Sequence, residues 1–356
     1  MGRYYMCVGN YCCSCTCRYR RGAKTEIERL ISMRRIFACL ILVFVCLASG
    51  CNESGRVEEV DASDTFGMRR QAIGIIRAGL TDSDALIRAS SIEIVTTSGR
   101  REFMPIVVKL LGDKSIVVRF AAAVAIGDMK YVPGQSALQK ALRDKDENVK
   151  IAAAYGLTKI TRTNFSKLIR NAVKSRDQAV RANAALLLGK LGWRENLELL
   201  DSVINDPGTG DMASIQAVEA LAMLDGEGIY QKLWTLLISK YADDRVMGIK
   251  AMGHLKSREA KNAIATMLMD DVPEVRLFAA EQLAKLSDPS GKEDIVDYLT
   301  VNSQGVQDRN MADKVAAKSI GYLRDESLVR FLPKLLNSPE KQVRLCAAQS
   351  VLLLTR

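Results

Sequence analysis

Asp113-Lys-Ser-Ile-Val-Val118-Arg119-Phe-Ala-Ala-Ala-Val-Ala-Ile-Gly127 is the stretch that decides the fold. An aspartate stands in a short polar turn, an arginine follows six residues later, and an alanine-rich apolar run follows the arginine. The pattern returns along the chain. Arg88, Arg119 and Arg181 are spaced by one and two steps of 31 residues, Lys150 fills the place between them, and Arg276 follows Arg245 by another 31. A fixed period of this size marks a stacked array of small units, none of which buries its apolar face alone.

Each unit reads as two helices. Around Arg119 the first helix is Glu102 to Leu111, with Phe103, Ile106, Val107, Leu110 and Leu111 at helical spacing on one face. Gly112 to Ser115 forms the turn, Ile116 to Met129 the second helix, and Pro133-Gly134 breaks the chain before the next unit. Nine units follow from this register, centred on Arg88, Arg119, Lys150, Arg181, Ser214, Arg245, Arg276, Asp313 and Arg344. The fold class is all-α, an α-solenoid. At a helix spacing of about 8–10 Å, nine units predict a rod or arc about 80 Å long.

Six residues before the central position an aspartate recurs as Asp82, Asp113, Asp144 and Asp270. Two readings exist for the row of basic residues. It could be an anion-binding strip, or each arginine could meet the aspartate of an adjacent unit in charge-assisted hydrogen bonds. The fixed co-occurrence of the two residue types favours a structural ladder of Asp82, Arg88, Asp113, Arg119, Asp144, Lys150, Arg181, Arg245, Asp270, Arg276 and Arg344. Each aspartate is also placed to cap the helix after it.

The signature Asp-x-x-x-x-Val-Arg-x-x-Ala-Ala, seen at Asp113–Ala122 and at Asp270-Asp-Val-Pro-Glu-Val275-Arg276-Leu-Phe-Ala279-Ala280, resembles HEAT repeats. It is similar to the short HEAT-like kind found in phycobilin lyase subunits and many bacterial proteins. The resemblance spans residues 66–356. It implies a right-handed superhelix whose second helices line a concave face, and it says little about function, because the motif residues build the stack.

Catalytic chemistry finds little material. His254 is the sole histidine, and it ends a second helix where other units carry Asp128 and Lys190. Cys346 lies in the apolar run Leu345-Cys-Ala-Ala348 and reads as a buried thiol. The di-iron hydroxylases built from HEAT repeats use His-Glu pairs, and this chain contains no His-Glu dipeptide. No catalytic residue, metal or other cofactor is therefore expected. The net charge of +10 does not make the array a nucleic-acid binder. The first 50 residues hold eight Lys/Arg and two acids, which leaves a net charge of only +4 for the rest.

That basic leader has its own reading. Arg34-Arg35 precede the apolar run Ile36–Leu47, too short to span a bilayer, then Ala48-Ser49-Gly50 and Cys51. The layout resembles a bacterial lipoprotein signal in which Cys51 is acylated; the alternative is an uncleaved anchor. Residues 33–50 are then a signal peptide starting at Met33, and residues 1–32 an upstream extension outside the true reading frame start. Residues 51–65 are the lipidated cysteine and a polar tether, and residues 66–356 the array. Eight of nine cysteines are at or before position 51, so no disulfide framework holds the array.

The irregular units are the expected partner sites. The Ser214 unit gains two residues and the Asp313 unit six, which points to Asp206, Asp211, Gln304, Gln307, Asp308 and Arg309. The apolar end Val351–Leu354 looks uncapped and open to self-association. The function expected is a lipid-anchored, non-catalytic scaffold for protein partners at a bacterial cell envelope, in the periplasm or on the outer face of a membrane. The alternative is a lyase-like enzyme subunit that uses the array to bind substrate.

Overall fold

The computed structural model describes residues 65–301 and 308–355. The leader, Cys51 and the tether up to residue 64 lie outside the described residues, as do Gln304 and Gln307. Among the described residues every element is helical, and no helix is long and apolar enough to cross a membrane.

The outer helices of the nine pairs are α1 (Thr65–Gly79), α3 (Met104–Lys109), α5 (Gln135–Ala141), α7 (Ser166–Ala172), α9 (Leu197–Asn205), α11 (Ile229–Leu237), α13 (Arg258–Thr266), α15 (Lys292–Val301) and α17 (Leu332–Leu336). Their inner partners are α2 (Ala85–Thr97), α4 (Ile116–Asp128), α6 (Glu147–Ile160), α8 (Gln178–Leu191), α10 (Asp211–Met223), α12 (Ala242–Met252), α14 (Pro273–Lys285), α16 (Arg309–Leu323) and α18 (Lys341–Leu354). Sequence explains the division. Outer helix α9 buries Leu200 and Val203 and leaves Glu198 and Ser202 in water. Inner helix α4 is buried from Val118 through Gly127, so it is apolar on every side and belongs in the middle layer. Small residues set the spacing of that layer. A Cβ on Gly189 would lie 2.8 Å from the Cα of Ala220, and one on Gly321 would lie 2.6 Å from the Cα of Ser350.

The extended rod or arc expected from the sequence does not form, because the array closes on itself. Helix α18 packs against α1 and α2 as inner helices elsewhere pack on the next unit. Gln71 Nε2 donates to Asn337 Oδ1 at 3.1 Å, Lys341 Nζ reaches Asp82 Oδ2 at 2.8 Å, and Arg100 Nη2 reaches the Leu352 carbonyl at 3.5 Å. The C-terminal end is therefore not an uncapped surface. Val351, Leu352 and Leu353 are buried, and one apolar cluster runs from Met68 to Leu352. The first pair supplies the cover that a separate polar cap supplies in an open array.

The two helices of a pair run in opposite directions, so the ring has two edges. Outer helices begin and inner helices end at one, where both the first and the last described residues lie. The opposite edge carries the turns inside each pair.

Candidate interaction surface

The turns inside the pairs are built by the recurring arginine. Arg88 Nη1 donates to the carbonyls of Asp82 and Ser83, at 2.7 and 3.0 Å, which closes its own turn. Its Nε and Nη2 grip Asp113 of the next unit at 2.8 and 2.7 Å. Arg119 repeats the arrangement with Asp144, and Arg245 with Asp270. Each of these aspartates also accepts an amide two residues on: Ser115 for Asp113, Asp146 for Asp144, Val272 for Asp270. The aspartates thus shape the turn rather than cap the helix; the caps at α2, α6 and α8 are Asp84, Asp146 and Asp177. Burial alone would raise the Asp113 carboxyl, but Arg88 and the Ser115 amide outweigh it and hold it below the usual range. Asp144 and Asp270 are held low in the same way.

The ladder differs from its sequence description at several rungs. Arg181 takes Asp206 at 2.7 Å, which makes Asp206 a rung of the ladder. Lys150 makes no ion pair with a described residue, because Ser175 stands where its aspartate would be. Arg276 keeps the Asp270 carbonyl at 2.8 Å and has Asp294 at 3.7 Å. Arg344 bonds the carbonyls of Ser338 and Pro339, and Asp82 is met by Lys341 instead. In the irregular units Ser214 offers no cation, and Asp313 accepts the Tyr298 hydroxyl at 2.7 Å. Asp211 is exposed at the start of α10, Asp308 caps α16 through the Met311 amide, and Arg309 is exposed beside it.

Five residues after each central position, the inner helices contribute Glu93, Val124, Tyr155, Leu186, Glu219, Lys250, Glu281, Lys318 and Gln349. These form an inward belt. Val124, Tyr155 and Leu186 make a buried apolar arc, and the rest make a polar arc of alternating sign. Burial pushes the Lys250 ammonium down to about 8, with Lys285 and Lys318 adding to the fall against Glu281. Lys250 Nζ sits 4.5 Å from the Phe278 ring centroid, and Glu281 is paired with Lys285 at 2.8 Å. His254 Nε2 is 3.2 Å from Glu219 Oε1, and Gln216 bonds the same carboxylate. The polar groups answer one another, which is how charges persist in a packed interior. Cys346 is buried, and burial pushes its thiol up to about 11. Among the described residues no group of three His, Cys, Asp or Glu side chains is arranged to hold a metal ion.

The feature that sequence reading missed lies on the turn edge of the sixth and seventh units. Seven residues before the central position stand Ile238 and Met269, 67% and 88% exposed. The first four units hold Thr81, Gly112, Arg143 and Lys174 there. Four residues before the central position, where Asp84, Asp146 and Asp177 cap their helices, stand Tyr241 and Val272, which give no cap. Tyr241 is exposed, and Trp234, one turn before Ile238 on α11, stacks on Tyr230 with ring centroids 6.3 Å apart. Arg245 joins the two turns, bonding the Ser239 carbonyl on one side and Asp270 and Asp271 on the other. The signal was present as two apolar substitutions repeated 31 residues apart.

A family model for HEAT repeats matches residues 75–158 and 135–222. The fold is an α-solenoid, and residues 75–222 of it match HEAT repeats. Solved structures similar to it include the complex of CpcE and CpcF of phycocyanin lyase from Nostoc sp. PCC7120, at 17% identity and a TM-score of 0.43, covering 63% of this chain and 92% of that one. Human deoxyhypusine hydroxylase matches at 16% identity and a TM-score of 0.36, covering 82% and 98%. Kap121p matches at 14% identity and a TM-score of 0.35, covering 80% and 37%. Among curated proteins none matches the sequence.

Proposed function

We propose that the chain is a lipid-anchored HEAT-repeat scaffold that holds protein partners at a bacterial cell envelope, with no chemistry of its own. The observation that carries this reading is the apolar edge of the sixth and seventh units. Elsewhere the recurring charged residues are spent on turns, rungs and the inner belt, whereas Ile238, Tyr241 and Met269 lie exposed where the other described units carry polar residues, glycine or proline.

Two experiments test the reading. Incorporation of a fatty-acid probe should be lost in Cys51→Ser, and retention of label in that variant would refute the anchor. A photo-crosslinking residue at position 241 in intact cells should capture a discrete partner, and the same residue at Lys232 should not. Equal capture from both places would remove the case for this surface.

A further inference from the structure

We infer that the turn edge of the sixth and seventh units is a docking site for a basic, amphipathic segment of a partner protein, which lays apolar side chains on Ile238, Tyr241 and Met269 and places Lys or Arg against Asp243 and Asp271. The inference rests on the scaffold reading and names the partner chemistry for it.

The apolar residues recur on adjacent turns. Ile238 and Met269 occupy the same place in successive units, and Arg245 ties their turns together through Ser239, Asp270 and Asp271. Trp234 extends the surface down α11. Single exposed apolar residues are ordinary, but two at one repeat position in neighbouring units form a patch.

Charge selects the occupant. The same edge carries Asp243, Asp244, Asp270, Asp271 and Glu274, against Arg245, Arg276 and Lys240, whose ammonium lies 4.9 Å from the Tyr241 ring centroid, so five acids face three bases. Arg245 is consumed by the two aspartates 270 and 271, yet the Asp271 side chain remains 89% exposed. Asp243 is exposed as well, and Asp244 accepts only the Ser239 hydroxyl at 2.7 Å. An apolar centre rimmed by net negative charge is complementary to a segment with one apolar and one basic face. It repels the anionic headgroups that an interfacial membrane contact would need. A second copy of this edge would bring like charges together.

The test uses the full chain and fluorescent helical peptides of about 16 residues, leucine on one face and lysine, glutamine or glutamate on the other. The lysine peptide should bind at least about tenfold more tightly than the glutamate peptide at about 150 mM salt. Ile238→Ser with Met269→Ser should weaken it by about tenfold or more. Asp243→Asn with Asp271→Asn should weaken it about three- to tenfold and flatten its salt dependence. Val132→Ser, at an exposed apolar residue on the other edge, should change nothing. Equal affinity for the three peptides, or unchanged binding in the paired serine variant at unchanged helicity, would overturn the proposal. So would binding to phosphatidylglycerol vesicles, or dimerisation in sedimentation, that the serine pair abolishes. Crosslinking at position 241 that persists without any charge preference would sink this inference and leave the scaffold reading standing. A lysine-peptide preference with no partner captured in cells would do the reverse.

Discussion

Replacing Asp113 with alanine removes the carboxylate that Arg88 grips from the preceding unit. The two side chains are 6% and 9% exposed, so solvent does little to screen them. The change deletes two charge-assisted hydrogen bonds, at 2.8 and 2.7 Å, and the 2.8 Å bond from the Ser115 amide that shapes the turn. Hydrogen bonds to charged groups are worth about 1.5–3 kcal/mol each, and stranding one member of a buried pair costs about 3–5 kcal/mol. Arg88 keeps its two bonds to the Asp82 and Ser83 carbonyls, and water can enter the vacated space, so the lower end applies. The expected loss is about 3 kcal/mol, or roughly 5 °C in melting temperature at an unfolding entropy of about 2.1 cal/mol/K per residue. The assay is thermal and urea unfolding followed by helical circular dichroism. Asp201→Ala is the control, since its pair with Lys232 is about half exposed and should cost under about 1 kcal/mol. Arg88→Met combined with Asp113→Ala should be less damaging than Asp113→Ala alone, because no buried guanidinium is then stranded. A single variant no worse than the control, with no coupling in the double, would refute the view that the ladder fastens the units.

Four other outcomes follow from the structure. Asp113, Asp144 and Asp270 have folded carboxyls below their unfolded values, so their contribution is complete above about pH 4 and is lost as pH falls below it; acid titration of stability should show that loss weakened in Asp113→Ala. Gly79→Val should spring the seam between first and last pairs, because its Cβ would clash with Ser91 and meet Leu345 at 3.1 Å; small-angle scattering should report a larger radius, and an unchanged radius would argue against closure. Lys150→Arg with Ser175→Asp should install the missing rung and stabilise the array by about 1 kcal/mol in the same unfolding assay, whereas Lys150→Arg alone should not. Native Cys346 should resist thiol reagents until the chain unfolds, which timed labelling and mass spectrometry would check.

The ladder shows how much of this was readable in advance. The register, the turn positions and the identity of most rungs depend on a pattern repeated in each unit, so one unit checks another. Asp206 escaped because the two extra residues hid its place in the register, and its partner Arg181 is 25 residues away, the same interval as from Arg88 to Asp113. Tyr241 and Met269 escaped for a different reason. An exposed Met or Tyr means little until the fold shows that the neighbouring unit repeats it.

What the sequence by itself determined was local: two helices per unit, and the arginine that closes each turn and reaches the next. These are settled within about 30 residues by helical periodicity, turn chemistry and a short-range ion pair. What only the tertiary structure decided was closure. Nine units meet if each turns by about 40° on the last, and that angle is a small bias accumulated over every interface. It is set by close approaches such as Gly127 on Gly156 and Gly189 on Ala220, which no single unit records. Closure then turned the apolar C-terminal helix from an exposed end into part of the core.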